Sequence, residues 1–328
     1  MNKINWGVLS TASIGTEHVI PGMQKGEHCN MLAISSRSLE KAKHSADVLN
    51  IPKAYGSYEE LLADDEIDAI YNPLPNHLHV PWTIKALEAG KHVLCEKSIA
   101  VNALEAEKLK EESEKYPGLK VMEAFMYRFH PQWEVVKNWV SSGKIGDLKT
   151  LQTMFTYHNV NPDDIRNKEG MGGGGLLDVG CYCISASRYI FGEEPSKVFG
   201  QVEMDPDFKV DRLASGILTF SNGTSVFTCS TQANRNQSLV VLGSEGRIEM
   251  ETPFNPLTNP TSVYLRNKGE LIEKKTLQAD HYTIQGDAFS KAILNDELVP
   301  TSLDDAIANL KVIDAVFESS SVEAPVNL

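Results

Sequence analysis

The chain has 328 residues, with 31 Lys and Arg against 44 Asp and Glu and a formal charge of −13. That balance excludes a chain-wide nucleic-acid or anionic-membrane surface, and 41% apolar with 23% charged residues excludes broad disorder. At about 150 residues per domain the length suggests two domains, and it is enough to bury at least one large core without disulfides or metals.

Residues 4–9 read as a short buried strand, followed by a small-residue turn and a helix. Residues 31–35, 67–71, 92–95 and 119–123 are further strand candidates, and 39–49, 58–63, 80–89 and 103–115 have helical spacing, with Gly90 placed as a C-cap. This alternation predicts an α/β fold with an N-terminal doubly wound parallel sheet over 1–124. From about Leu148 the chain reads as extended segments, with strands at 196–204, 213–220, 224–231, 238–242, 247–251, 264–266 and 271–276. Asn222 and Gly223 signal a hairpin, one helix interrupts at 177–191, and two close the chain at 282–294 and 303–318. Residues 125–328 are therefore expected to form an α+β domain with a mainly antiparallel open sheet.

Cys29, Cys95, Cys181, Cys183 and Cys229 form no C-x-x-C pair or zinc-type spacing, so buried thiols in a reducing compartment are expected. No run of 18 apolar residues occurs, and the N-terminus runs straight into a strand, so a cytoplasmic location is expected.

The turn Ser10, Thr11, Ala12, Ser13, Ile14, Gly15 has the spacing of the dinucleotide fingerprint, with Ser10 and Ala12 where glycines are usual. Alone it fits a pyrophosphate loop or a tight strand–helix link equally. The second strand ends Ser35, Ser36, Arg37, Ser38 and has no carboxylate before Glu40. An NAD site usually offers a carboxylate to the ribose there, whereas a guanidinium with hydroxyls suits the 2′-phosphate of NADP. The alternative is a solvated Arg beside a capping serine. Pro73, Leu74, Asn76 and His77 after the third strand, and Glu96 with Lys97 after the fourth, lie at strand C-terminal ends, where open α/β sheets bind ligands. They are expected to line the cofactor site together with Arg128. His77 and His79 lack a third ligand at sensible spacing, so no metal is expected.

Four glycines, 172–175, precede a helix that sets Asp178 and Tyr182 at i and i+4. A carboxylate and a phenol on one face suit the holding and deprotonation of a hydroxyl. A capping Asp beside a packed Tyr is the plain alternative.

Together, WGVLSTASIG, SSRS, NPLPNHLH, CEKS, MEAFMYRFHP and GGGGLLDVGCYC resemble the glucose–fructose oxidoreductase/inositol dehydrogenase/rhizopine-catabolism (Gfo/Idh/MocA) family over essentially the whole chain. Within it, IPKAYGSYEELLAD, VLCEKSIAVNALEA and a Tyr at 182 are most similar to the NADP-dependent dimeric dihydrodiol dehydrogenases and D-xylose dehydrogenases. The resemblance implies NADP rather than NAD, Lys97, Asp178 and Tyr182 as the catalytic set, and a homodimer or homotetramer formed through the C-terminal sheet. It implies hydride transfer between nicotinamide and a hydroxyl or carbonyl carbon of a polyhydroxylated small molecule, a sugar or cyclic diol. A tyrosine ordinarily titrates near about 10, too high for a base at neutrality, so the Lys97 ammonium and the oxidised nicotinamide would have to favour its phenolate. Asp178 would hold a neighbouring hydroxyl, and specificity would lie in residues 159–171 and around Tyr157 and Arg128. Two departures stand out: Ser98 replaces the family proline after Lys97, loosening the backbone that aims it, and the fingerprint lacks two glycines. They keep a dinucleotide-binding regulator without turnover open, and the resemblance itself leaves an NAD-dependent glycoside hydrolase as a further alternative.

Overall fold

A computed structural model describes residues 2–328. The chain divides into two compact units, Met1–Phe129 with Asp280–Ile307, and His130–Ala279 with Ala308–Leu328.

In the first unit six described strands form one parallel sheet: β1 (Ile4–Val8), β2 (Cys29–Ser35), β3 (Lys53–Tyr55), β4 (Ala69–Asn72), β5 (His92–Glu96) and β6 (Val121–Ala124). Their order is 3-2-1-4-5-6, so the direction of winding reverses between β1 and β4. That is the point where doubly wound sheets take their ligands. All residues of β4 and β6 are buried, including the polar Asn72 and Glu123. The helix Leu39–Leu49 starts on Ser38, whose hydroxyl accepts the Lys41 N–H. The helix Ala103–Ser113 has a reciprocal cap: Asn102 accepts the Glu105 N–H and Glu105 accepts the Val101 N–H. β3, three residues long, is too short to carry a period and was not foreseen.

The sequence boundary assigned residues 280–307 to the second domain, but they pack with the first unit. The helix His281–Leu294 supplies Ser290, whose Oγ accepts from the Trp6 indole at 3.2 Å, and Phe289, whose ring lies 5.8 Å from that of Trp6. Trp6, which has no solvent exposure, therefore completes its surroundings with residues from near the other end of the chain.

The second unit is built on a sheet ordered β14-β13-β12-β11-β7-β10-β9-β8-β15. Its strands are β7 (Leu148–His158), β8 (Lys197–Met204), β9 (Asp211–Phe220), β10 (Gly223–Ser230), β11 (Gln232–Gly243), β12 (Arg247–Met250), β13 (Thr261–Asn267), β14 (Glu270–Leu277) and β15 (Val326–Asn327). Among the described residues only β7 and β10 pair in parallel, so the sheet is mixed and mostly antiparallel. The extended stretch after Leu148 becomes the central strand β7. The β9–β10 hairpin pairs Phe220 with Gly223, so its loop is Ser221 and Asn222, one residue earlier than expected. Gly223 serves a different need: a Cβ there would stand 2.3 Å from the Lys149 carbonyl oxygen of β7. Leu151, Leu218 and Phe227 are fully buried on the face that packs the helix Cys181–Phe191. On the other face Phe199, Ile217 and Val226 pair in register across β8, β9 and β10 and are 40–43% exposed.

Candidate active site

Within the first unit, every expected cofactor residue except Arg128 lies at or just after the C-terminal end of β1, β2, β4 or β5. Ser10 adopts φ +76°, the left-handed backbone for which the fingerprint ordinarily uses glycine. The turn thus keeps its geometry without the glycine, and Ser10 Oγ accepts the Ala12 N–H at 3.3 Å. The helix that follows passes through a π-type turn at Gly15–Val19 before Ile20–Met23. Thr11, Ala12 and Ile14 are half-buried and Ser13 is exposed, so the turn presents small residues to solvent beside the helix start.

At the end of β2, Ser36 is buried and Arg37 exposed. Burial pushes the Tyr58 phenol up, while the Arg37 guanidinium, hydrogen-bonded to it, pulls the other way. An exposed guanidinium with no acidic residue between 35 and 38 fits a 2′-phosphate and lacks the carboxylate that usually accepts from the ribose hydroxyls of NAD.

After β4, Pro73 and Leu74 are buried, and Asn76 and His77 sit half-buried in the short turn Asn76–Leu78. Asn72 Oδ1 accepts the Leu74 N–H, and its Nδ2 donates to the His79 carbonyl and to Thr83 Oγ1. At the last residue of β5, Glu96 Oε1 accepts from the Tyr71 hydroxyl at 2.7 Å; burial and the Glu96 charge hold that phenol far above its usual value. The Lys97–Ser98 peptide is cis. His79 Nδ1 lies 2.7 Å from the Ser98 carbonyl oxygen and Nε2 lies 2.6 Å from that of Leu74. On the far side, the Ile99 N–H donates to Glu123 Oε1 at 2.8 Å. Arg128 is placed differently from the loop residues: its guanidinium forks onto Asp305 at 2.7 and 3.4 Å and its Nε reaches the Tyr127 hydroxyl.

Within the second unit the glycine-rich segment leads into a π-type turn, Leu176–Gly180, and then the helix Cys181–Phe191. The cap of this start is not Asp178 but Asp211, from the first residue of β9. Asp211 Oδ2 accepts the Leu176 N–H at 2.6 Å, and a Cβ on Gly174 (φ +112°) would stand 1.9 Å from Asp211 Oδ1. At least one of the four glycines is therefore required by a neighbouring side chain. Burial pushes the Asp211 carboxyl up to about 7 despite the backbone N–H groups that favour its charge.

Asp178 is engaged from two directions. Tyr157 on β7 donates its hydroxyl to Oδ2 at 2.5 Å, and Arg166 Nε donates to the same oxygen at 3.1 Å. Arg166 also reaches Asp164 Oδ1 at 3.3 Å, so the 159–171 loop is tied to Asp178 by its own arginine. Burial and the Asp178 charge raise the Tyr157 phenol well above its usual value, keeping it a donor. The Tyr182 ring packs edge-on to Phe155 at 5.4 Å and tilted against Phe254 at 5.5 Å. Its side chain is mostly buried, and the aromatic wall fixes the direction of its hydroxyl.

Sequence reasoning missed Asp211, Arg166, His79 and Glu123 as supporting groups. Asp211 lies 35 residues from the N–H that it accepts, and no local pattern signals such a contact. Tyr157 had a usable signal, the period-two row Thr153, Phe155, Tyr157 on one strand.

A family model described as the oxidoreductase family, NAD-binding Rossmann fold, matches residues 4–125, and one described as the GFO/IDH/MocA C-terminal domain matches 133–249. The chain belongs to the Gfo/Idh/MocA oxidoreductase family. It is 37% identical to D-xylose 1-dehydrogenase (NADP(+)) 2 of Haloferax volcanii, over 98% of this chain and 99% of that one. It is 36% identical to trans-1,2-dihydrobenzene-1,2-diol dehydrogenase of Xenopus laevis, over 80% and 79% of the two chains. Among solved structures, a 3-ketoreductase from Actinomadura kijaniata in complex with NADP and TDP-benzene superimposes with a TM-score of 0.91 at 30% identity, covering 97% and 98% of the chains. The chain is thus an oxidoreductase of the NAD(P)-dependent dehydrogenase and reductase type, and its relatives include sugar-related dehydrogenases and a ketoreductase.

Proposed function

We propose that the protein transfers a hydride between NADP and a hydroxyl or carbonyl carbon of a sugar or cyclic diol. The observation that carries this reading is the anchoring of Asp178 by Tyr157 and Arg166 one turn before Tyr182 on the same helix start. A fixed carboxylate accepts a substrate hydroxyl, and a fixed phenol beside it exchanges a proton with the next oxygen. When bound, the nicotinamide takes or gives the hydride. Tyr182 takes the hydroxyl proton during oxidation and returns it during reduction. Lys97, just after β5, is the third proposed catalytic residue, its ammonium a charged hydrogen-bond donor. Residues 10–14, Ser36, Arg37, Pro73, Leu74, Asn76, His77 and Glu96 hold the cofactor, with Arg37 selecting its 2′-phosphate. The NADP named for the Haloferax relative and bound in the Actinomadura structure supports this choice. The names of the Haloferax and Xenopus relatives support the substrate class.

The test is absorbance at the reduced-nicotinamide band, with NADP and NAD run separately against a panel of aldoses and trans-diols. Reduction of NADP by at least one compound is expected, with turnover largely lost in Tyr182→Phe and in Lys97→Met. Undiminished turnover in both variants sinks the mechanism, and NADPH binding without turnover on any compound favours a regulator.

The open face of the second unit's sheet is the proposed contact between copies of the chain. Phe199, Ile217 and Val226 form an exposed apolar row there, and apolar patches of this kind mark association surfaces. A cytoplasmic location fits the five buried, unbridged cysteines, and no described helix is long and apolar enough to cross a membrane.

A further inference from the structure

We propose that His79 is a positioning residue for Lys97, tying down the backbone corner that aims the lysine; this rests on the role proposed above for Lys97. The corner follows the last residue of β5, where the sheet ladder no longer holds the chain. Buried or half-buried side chains hold it instead. Tyr71 fixes Glu96 just before Lys97, His79 meets the Ser98 carbonyl just after it, and Glu123 accepts the next N–H, that of Ile99. His79 has no solvent exposure, and its backbone carbonyl is itself held by Asn72.

Its second ring nitrogen meets Leu74 in the loop after β4, so one imidazole bridges the two strand-end loops on which the cofactor and lysine roles were placed. Burial holds the ring down to about 4, against the two carbonyls, each of which favours a ring N–H facing it. Lys97 reaches its target on a flexible four-carbon stem, so only the backbone can set where that stem begins. With Ser98 in place of the family proline, that setting falls to these side chains. A displacement of about 1 Å at such a group can cost about 100-fold in rate.

The test is a double-mutant cycle, His79→Phe in the wild type and in Lys97→Met. It is paired with a reading that needs no substrate: the rate at which trinitrobenzenesulfonate labels Lys97, followed by peptide mass spectrometry. A positioning role predicts a loss of about 10- to 100-fold in turnover in the wild type and less than about twofold in Lys97→Met, since the two changes remove one function. It also predicts that Lys97 labels several-fold faster while Lys3 is unchanged. Equal fold losses in both backgrounds, or unaltered Lys97 labelling, overturn the proposal. If His79→Phe does not fold, His79→Ala, which also leaves no donor, is read in the same way. Turnover that survives Lys97→Met defeats the functional reading, and the labelling rate then decides the positioning claim by itself.

Discussion

The Tyr157 hydroxyl donates to Asp178 Oδ2 at 2.5 Å, and Arg166 donates to the same oxygen. A carboxylate on a helix start with no such partners would sample several rotamers, and its value in fixing a substrate hydroxyl would fall with each. Hydrogen bonds to a charged group are worth about 1.5–3 kcal/mol each. Tyr157→Phe is therefore expected to lower kcat/KM by about 10- to 100-fold while leaving the melting temperature within a few degrees. A kcat/KM within twofold of the wild type would show that Asp178 needs no anchor.

The contact of Asp211 with the Leu176 N–H predicts a different signature. Asp211→Ala leaves that buried N–H without its acceptor, at a cost of about 1–3 kcal/mol in urea unfolding. Gly174→Ala should cost at least as much, because φ is +112° and the new methyl carbon would meet Asp211 Oδ1 at 1.9 Å. An alanine tolerated at 174 would mean that Asp211 does not cap this helix.

Stability should also vary with pH through His79. Burial lowers its pKa from 6.5 to about 4, so between those values the unfolded chain binds more protons than the folded one. Stability then rises with pH across that window and is lost as pH falls through it, by about 2 kcal/mol at pH 5 relative to pH 7. Urea unfolding of the wild type and His79→Gln at both pH values isolates this part. An equal pH slope in the two proteins would remove His79 as its source.

Cofactor choice is expected to turn on Arg37. Arg37→Asp places a carboxylate where the 2′-phosphate would sit and where NAD offers hydroxyls. NADPH should bind about 10- to 100-fold more weakly by fluorescence, in line with the loss of a charge-assisted pair, and NADH should gain. Unchanged NADPH affinity would place the phosphate elsewhere.

Charging the open sheet face tests association. Ile217→Glu together with Val226→Lys should reduce the molecular mass found by light scattering to that of one chain, with turnover assayed in parallel. A wild type that already runs as a monomer would end the proposal that this face pairs two copies.

The parts of the fold legible in the sequence were those that a local period could carry. β1, β2, β4, β5 and β6 carry mostly buried side chains, and their alternation with capped helices was readable for that reason. What escaped was set by distant contact. Gly223 looks like a turn glycine but answers to the Lys149 carbonyl, and Ser38 was legible as a cap where Asp211 was not, because Ser38 lies beside its helix. The candidate site divides in the same way. Lys97, Asp178 and Tyr182 stand in readable motifs and Tyr157 in a readable period-two row, whereas His79, Glu123 and Arg166 meet their partners only in three dimensions. Ser10 shows the converse: the glycine motif was broken, yet the left-handed turn that glycine normally serves is present.

The return of the helix His281–Leu294 to Trp6 carries a consequence for how the protein is made. The first unit is interrupted by residues 130–279, so a ribosome has to add about 160 residues after Phe129 before Phe289 and Ser290 can close over the indole. At about 5–20 residues per second that interval is about 8–32 s. During that time the nascent sheet lacks one of its covering helices. A fragment ending at Phe129 would stay in that unfinished condition, so a dinucleotide-binding piece cut from this protein needs residues 280–307 grafted back to fold.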